Sequence, residues 1–185
     1  MNDLLETIKR AIWGESQEDL TAWCRWIHTD ISDKHCITCL RLHECWFHKD
    51  KAPISPRHPF CHCHLSDLSS DMLLKYAVAK SDYGKFDPYL FNTNNKYNHN
   101  KELLFKSWGY TVLDAKWLQT EIEKQGLQKY ISGNYSLGNL NEQGQRISIK
   151  IEIPRKDNGE NVSFVTGWMV YPYGQIQLTT PYGGK

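Results

Sequence analysis

The second half of the chain carries a regular alternation of hydrophobic and polar positions. Between residues 147 and 153, four isoleucines alternate with polar side chains, which predicts a half-buried β-strand. The Asp-Asn-Gly sequence at 157–159 predicts a hairpin turn, and residues 162–170 return as a second strand. A further turn at 172–174 leads into a last strand at 175–180. Together these segments predict an antiparallel sheet.

Helical signals precede this sheet. Residues 70–80 and 100–108 predict two short helices, and Gly109 stands where a helix C-cap glycine is expected. Thr111 and Asp114 have the spacing of a capping box, which predicts a helix that continues to about residue 130. Helices followed by antiparallel strands predict the α+β fold class.

The first third of the chain has a different pattern. Residues 3–12 and 16–28 predict two amphipathic helices. Residues 34–64 lack a clean period and contain three prolines, which predicts irregular structure. A polar segment then predicts the boundary between a small helical and irregular module, residues 1–66, and an α+β domain, residues 70–185.

Composition supports this division. All six cysteines and seven of the eight histidines lie between residues 24 and 64, which indicates a metal-binding module followed by a cysteine-free domain. The net charge of +1 excludes a polycationic signature, so any contact with nucleic acid requires a local patch. No apolar stretch approaches the ~20 residues of a membrane-spanning helix, and the acidic N-terminus does not resemble a secretory signal.

Four cysteines have the spacing of metal ligands. Cys36 and Cys39 form a C-x-x-C pair, and Cys61 and Cys63 form a C-x-C pair after 21 intervening residues. Four thiolates satisfy tetrahedral zinc and leave no open position for water, so we expect a structural Zn²⁺ site. His58, three residues before Cys61, is the reserve ligand, because H-x-x-C also has ligand spacing.

Other interpretations of these residues stay open. The thiols form a disulfide or remain free in a core, or only some of them ligate, although cytosolic disulfides are disfavoured. Cys24 and Cys45 are predicted to be core thiols, and His62 and His64 to be solvated.

The same segment resembles a known family. It reads Asp33-x-x-Cys36-x-x-Cys39 and then Pro56-x-His58-Pro59-x-Cys61-x-Cys63-x-Leu65, preceded by Trp26-Ile27-His28. This pattern is similar to the C-terminal part of the phage Mu F-like minor head (head morphogenesis) proteins. Two features depart from that family: His43-Glu44 stands where a glycine usually follows the first cysteine pair, and the long helical body of a head protein is missing.

The second domain also carries a resemblance. Its matching segments are Tyr89-Leu90-Phe91-Asn92, His99-Asn100-Lys101, Phe105-x-x-Trp108-Gly109-Tyr110, Gly167-Trp168-Met169-Val170 and Leu178-Thr179-Thr180-Pro181-Tyr182. They resemble small α+β domains at the C-termini of bacterial and phage polymorphic toxins, which are similar to the barnase–EndoU–colicin–RelE ribonucleases. The resemblance implies a metal-independent endoribonuclease, hence a hydrolase that binds RNA, and an immunity or host protein as a further partner.

Four residues are candidates for such chemistry. His99, the one histidine outside the cysteine-rich third, is a candidate base or acid near neutral pH, and Lys101 is a candidate to stabilise developing negative charge. Thr180 and Tyr182 are candidate donors to phosphate. Side chains alternate between the two faces of a strand, which places Thr180 on the same face as Ile176 and Leu178, two candidate core residues. Thr180 therefore reaches a surface site only if the strand ends or bulges there.

Each of these residues also has a purely structural interpretation. Lys101 is an ordinary solvated lysine, His99 a loop or capping residue and Tyr182 a packing residue in the alternative interpretation. The tryptophans of this domain, Trp108, Trp117 and Trp168, are predicted to lie in the core.

These observations favour a phage- or prophage-associated toxin effector in the cytoplasm of a bacterial host, with association with a virion as a second location. The alternative is a non-enzymatic phage protein whose C-terminal domain binds and inhibits or adapts a host protein. A zinc-dependent nucleic-acid binder is a weaker third hypothesis.

Overall fold

The computed structural model describes residues 22–29, 36–91 and 101–182, and the predicted α+β class is confirmed. The described helices are α1 (Ile37–Leu42), α2 (Ser70–Tyr76), α3 (Lys101–Ser107) and α4 (Ala115–Ile131). The described strands are β1 (Trp23–Ile27), β2 (Trp46–His48), β3 (His64–Leu68), β4 (Val78–Lys80), β5 (Ser136–Asn141), β6 (Gly144–Pro154), β7 (Asn161–Val170) and β8 (Gln175–Thr180).

The strands form two sheets. The first has the order β2-β1-β3, and both pairs are antiparallel. The second has the order β4-β8-β7-β6-β5, in which β4 runs parallel to β8 and every other pair is antiparallel. The predicted antiparallel strands are therefore present, and the sequence pattern missed the edge strands β4 and β5.

The isoleucine strand forms the centre of the larger core. Ile147, Ile149, Ile151 and Ile153 are buried, and α4 packs over this face of the sheet. A side chain at Gly126 of α4 would lie 2.5 Å from the Trp168 ring, so the helix approaches the sheet closely at that position. The isoleucine alternation thus sets which face of the sheet carries the helix.

The predicted local signals around the helices are confirmed. Gly109 ends α3 with a φ of 83°, a conformation that glycine adopts without the strain of a side chain. Thr111 and Asp114 form a capping box before α4, with a 2.9 Å hydrogen bond from the Thr111 N–H to the carboxylate. The turn at Gly159 joins β6 to β7, with a φ of 77°.

The predicted helix at 16–28 is wrong where the structure describes it. Residues Trp23–Ile27 form the central strand β1, hydrogen-bonded to a strand on each side. A short apolar run fits a buried strand as well as a helix, and pairing with β2 and β3 decides between them. The predicted helix at 3–12 and residues 16–21 lie outside the described residues.

The predicted boundary region is also structured. Residues 64–68 form β3 instead of a polar hinge, and Ser69 caps α2 by accepting a hydrogen bond from the Met72 N–H. The buried residues form one continuous hydrophobic cluster that includes both Trp23 and Trp168. The division into two domains stays a prediction, and the two parts pack directly against each other.

Candidate functional site

The first candidate site is the cysteine cluster. Cys36 precedes α1 as its N-cap residue and Cys39 lies within the helix, so one short helix presents both thiols. Cys61 and Cys63 come from the segment that leads into β3. The helix and this segment bring the four thiols together in one cluster.

Distances in this cluster fit metal coordination. The Sγ atoms of Cys39 and Cys61 lie 3.8 Å apart, and Cys39 Sγ lies 3.5 Å from His58 Nε2. In a tetrahedral site with Zn–S bonds of about 2.3 Å, two thiolates are separated by about 3.8 Å. Two groups have all their donor atoms within 4.8 Å of one another: Cys36, Cys39 and His58, and Cys39, Cys61 and Cys63. The cluster could therefore hold a metal ion, and Cys39 is common to both groups.

Histidines border the cluster on two sides. His58 Nδ1 lies 2.9 Å from the Pro59 carbonyl oxygen, and an N–H at this position leaves Nε2 available toward Cys39. His28 Nδ1 lies 3.3 Å from Cys63 Sγ. The H-x-x-C spacing predicted His58 as a reserve ligand. His28 was not a predicted ligand, although it stands in the matched Trp-Ile-His segment.

The thiols of the cluster differ in acidity. Burial raises the pKa of the Cys39 thiol above its ordinary value. Burial also acts to raise the pKa of Cys61, but hydrogen bonds with the backbone of Arg57 and Cys63 outweigh it and lower that pKa to about 7. A cation beside Cys39 would compensate the cost of ionising a buried thiol.

The remaining cysteines and two histidines behave as predicted. Cys24 and Cys45 are buried, with exposed fractions of 1% and 0%, and burial raises their pKa values to about 11 and about 12. Their thiols donate to backbone carbonyls of Phe47 and Arg41. His62 and His64 are exposed. The predicted core thiols and solvated histidines are confirmed.

The second candidate site lies at the end of β8. Gly167 of β7 pairs with Thr180 and Trp168 pairs with Leu178, so Thr179 is an extra residue in β8. This β-bulge reverses the parity of the strand and turns Thr180 away from the face of Leu178. The condition under which Thr180 reaches a site is therefore met.

Lys101 comes to this bulge from the first residue of α3. Its Nζ donates a 3.1 Å hydrogen bond to Thr180 Oγ1, and it lies 3.4 Å from the Tyr89 hydroxyl and 5.4 Å from the Tyr89 ring centroid. Within the described ranges, no carboxylate lies within ion-pair distance of this half-buried ammonium. An unneutralised cation held by neutral oxygens is suited to binding an anion.

A cleft of about 320 Å³ opens beside the bulge. It lies on the face of the sheet opposite α4, and Arg146, Ser148 and Thr180 are among its lining residues. Lys85 is a further positive charge next to a lining residue, because its ammonium donates a 3.1 Å hydrogen bond to the Thr179 carbonyl. No carboxylate belongs to the described residues that line the cleft.

The predicted catalytic residues have three outcomes. Lys101 and Thr180 are brought together. Tyr182 packs its ring against Phe164 with centroids 6.4 Å apart, and its carbonyl accepts a 2.9 Å hydrogen bond from Thr180. His99 lies outside the described residues, so its role stays a prediction.

Arg146, Ser148 and Lys85 were not among the predicted functional residues. Arg146 and Ser148 occupy the polar positions of the isoleucine strand, and that alternation already places them together on the outer face. No local pattern marks Lys85. Among the predicted core tryptophans, Trp108 and Trp168 are buried, but Trp117 is 44% exposed and stacks on Tyr110, so its assignment to the core is wrong.

The fold and these sites define an α+β protein with a Cys/His cluster able to hold a metal ion and a cationic cleft on the outer face of its larger sheet. Residues 73–185, more than half of the chain, match the family described as Domain of unknown function (DUF6883), and the chain belongs to that family. No curated protein and no solved structure has a significant match to the chain. The phage-head and toxin resemblances stay predictions. Among the described helices, none has the length and apolar character needed to cross a membrane.

Proposed function

We propose that the chain is a phage- or prophage-associated toxin effector whose C-terminal part cleaves RNA in a bacterial host. One observation carries this proposal. The Lys101 ammonium and the Thr180 hydroxyl, 79 positions apart in sequence, meet at the edge of a cationic cleft. The resemblance to toxin domains made both residues candidates for contacts with an RNA phosphate. Two residues can contact the same phosphate only if the fold brings them together.

The proposed reaction is transesterification of an RNA phosphodiester. The 2′-oxygen loses its proton to a base and attacks the adjacent phosphorus, while the bond from phosphorus to the 5′-oxygen breaks. The leaving 5′-oxygen takes a proton from an acid, which gives a 2′,3′-cyclic phosphate and a 5′-hydroxyl end. Atoms and charge balance without a further reactant, so the step requires general acid–base groups and positive charge only.

The candidate residues have distinct roles in this step. Lys101 stabilises the negative charge that develops on the phosphoryl oxygens, and Thr180 holds the ammonium in position. The Thr180 hydroxyl donates to the Tyr182 carbonyl, so it must rotate before it donates to phosphate. Tyr182 acts through this carbonyl and its packing, and His99 is the proposed base or acid.

We further propose that the cysteine cluster binds one structural Zn²⁺. The preferred ligands are Cys36, Cys39, Cys61 and Cys63, with His58 in reserve. Zinc is the metal that four thiolates in tetrahedral array favour, and a closed ligand set leaves no position for substrate. In this role the ion holds the proline-containing loop against α1.

Cleavage of a labelled single-stranded RNA by the purified chain tests the enzymatic proposal. We expect Lys101→Ala to lower the rate by about 100-fold or more, since one preorganised charge-stabilising group contributes about that much. Thr180→Val should lower the rate as well, whereas Thr180→Ser keeps the hydroxyl and should retain most of it. Lys124→Ala, at an exposed lysine of α4, is the matched control.

The products and the phenotype sharpen this test. The proposal requires 2′,3′-cyclic phosphate ends, and expression in bacteria should slow growth for the wild type but not for Lys101→Ala. Equal growth with both proteins, together with intact RNA, would refute the nuclease proposal.

A non-enzymatic binding module is the alternative, and one surface favours it. Leu113, just before α4, and Trp117, in the first turn of α4, are 91% and 44% exposed. Exposed apolar side chains this close in sequence suit a protein partner. Capture of one stoichiometric host protein that Trp117→Ala abolishes, without RNA cleavage, would select this alternative.

A further inference from the structure

We infer that the cleft on the outer face of the larger sheet binds one unpaired nucleotide of single-stranded RNA, with Arg146 contacting its phosphate. This inference rests on the proposed function and names its substrate class. Three observations carry it: the construction of the cleft, the chemistry of its lining and its size.

The cleft lies between two β-bulges. In β8, Thr179 is the extra residue, as described above. In β5, the pairing shifts between Leu137 and Leu140, so Gly138 and Asn139 both lie opposite Arg146. A bulge bends its strand and re-aims its side chains, and these two bulges enclose the outer face of β6 and β7 from either side.

Two glycines let the residues that line the cleft pack closely together. A side chain at Gly167 would lie 2.9 Å from Thr180 Cγ2 and 3.1 Å from Thr179 Oγ1. A side chain at Gly138 would lie 3.3 Å from the Cβ and the carbonyl oxygen of Arg146. A side chain at either position would therefore displace Thr179, Thr180 or Arg146, which line the cleft.

The lining is polar and positive. Arg146 is exposed and has no ion-pair partner within the described ranges, and a guanidinium matches phosphate geometry with paired donors. Asn139, Ser148 and Thr179 supply amide and hydroxyl groups that both donate and accept hydrogen bonds. This combination fits a base edge beside a phosphate better than it fits an apolar ligand.

The size of the cleft restricts the ligand to a single strand. At about 320 Å³ it stands at the lower end of ligand pockets, which span about 300–1,000 Å³. A paired base in a duplex cannot enter it, whereas unpaired bases in loops and ends can be turned outward. Thr180 belongs both to the lining and to the Lys101 pair, so a nucleotide in the cleft lies next to the proposed site of cleavage.

Binding of a fluorescent 2′-O-methyl single-stranded RNA, which cannot be cleaved by its 2′-oxygen, tests this inference by anisotropy. We expect Arg146→Gln to weaken binding by about tenfold or more, because it removes a charge-assisted contact. Ser148→Trp, which fills the cleft, should do the same. Lys150→Gln is the matched control, because Lys150 lies on the same face of β6 but outside the cleft; it should change the affinity less than about threefold.

Several outcomes would overturn the inference. Equal losses for Arg146→Gln and Lys150→Gln would indicate nonspecific attraction, and full affinity in a folded Ser148→Trp protein would place the RNA elsewhere. Equal binding of duplex RNA, or equal competition by polyglutamate, would also refute it.

Its failure and that of the proposed function are distinguishable. If binding depends on Arg146 but unmodified RNA is not cleaved, the inference that the cleft binds a nucleotide stands and the proposed nuclease activity is refuted. If Lys101→Ala abolishes cleavage but Arg146→Gln changes neither its rate nor its KM, the proposed nuclease activity stands. The inference that the cleft binds the nucleotide is then refuted.

Discussion

The Tyr130 hydroxyl donates a 2.7 Å hydrogen bond to the backbone carbonyl of Trp46, and both residues are buried. Tyr130 belongs to α4, and Trp46 belongs to the strand that follows the first cysteine pair and its loop. The Tyr130 ring also packs edge-on against Trp23, with centroids 5.1 Å apart. The cysteine-rich part of the chain is thus anchored directly to the main helix of the larger core.

Tyr130→Phe should lower the free energy of unfolding by about 1–1.5 kcal/mol, because the ring stays packed and only the hydrogen bond is lost. Chemical denaturation measures this change. Tyr76→Phe is the control, since Tyr76 is 51% exposed, and it should leave stability unaltered. No loss in Tyr130→Phe would mean that the contact contributes nothing to docking.

The metal site gives the second prediction. The wild-type chain should contain one zinc per molecule by elemental analysis, and Cys39→Ser should lose it because Cys39 belongs to both possible ligand groups. Removal of the ion by a chelator should destabilise the fold by more than about 3 kcal/mol, since binding and folding are coupled at such sites.

Two further variants decide the ligand set. With four thiolate ligands, His58→Ala retains the zinc and Cys36→Ser loses it. The reverse result would show that His58 replaces a cysteine. Cys24→Ser is the control, because this buried thiol lies outside both ligand groups, and it should keep full metal content.

Gly126→Ala tests the close approach of α4 to the sheet. Alanine normally favours a helix over glycine by about 1 kcal/mol. Here its Cβ would lie 2.5 Å from Cζ2 and 2.7 Å from Cη2 of Trp168, and overpacking costs about 1–3 kcal/mol or more at such contacts. We expect a net loss of stability and a lower Tm. Gln128→Ala, on the exposed side of the same helix, should not lower it.

Asp114 makes stability depend on pH. Burial acts to raise the pKa of its carboxyl, but hydrogen bonds with Lys156 and with the Thr111 backbone outweigh burial and lower that pKa below its ordinary value of 3.8. A depressed carboxyl pKa stabilises the fold above the unfolded value and ceases to do so as the pH falls through the folded value. This contribution is therefore present at neutral pH and lost in acid below 3.8.

Asp114→Asn should cost about 0.5–1 kcal/mol at neutral pH and progressively less below the ordinary carboxyl pKa. Denaturation curves at several pH values measure the difference from the wild type. Glu142→Gln is a control at an exposed acid. A difference that persists unchanged in strong acid would contradict the assigned role.

Local signals in the sequence determined much of the fold, because each depends on neighbours only a few residues away. The isoleucine alternation defined β6 and its buried face, Gly109 marked the end of α3, and Thr111 with Asp114 marked the start of α4. The spacing of the cysteines likewise identified a cluster able to hold a metal ion, since a C-x-x-C pair constrains two thiols locally.

Only the tertiary structure decided the features that depend on distant partners. Trp23–Ile27 is a strand because two other strands pair with it, and its apolar run alone fits a helix equally well. The face of Thr180 depends on a bulge that the register with β7 creates, and no residue near it in sequence specifies that register. Lys101 meets Thr180 only because the tertiary fold brings the start of α3 to the end of β8. The pairing of a cation with a hydroxyl, from which the proposed function follows, is therefore a property of the folded chain.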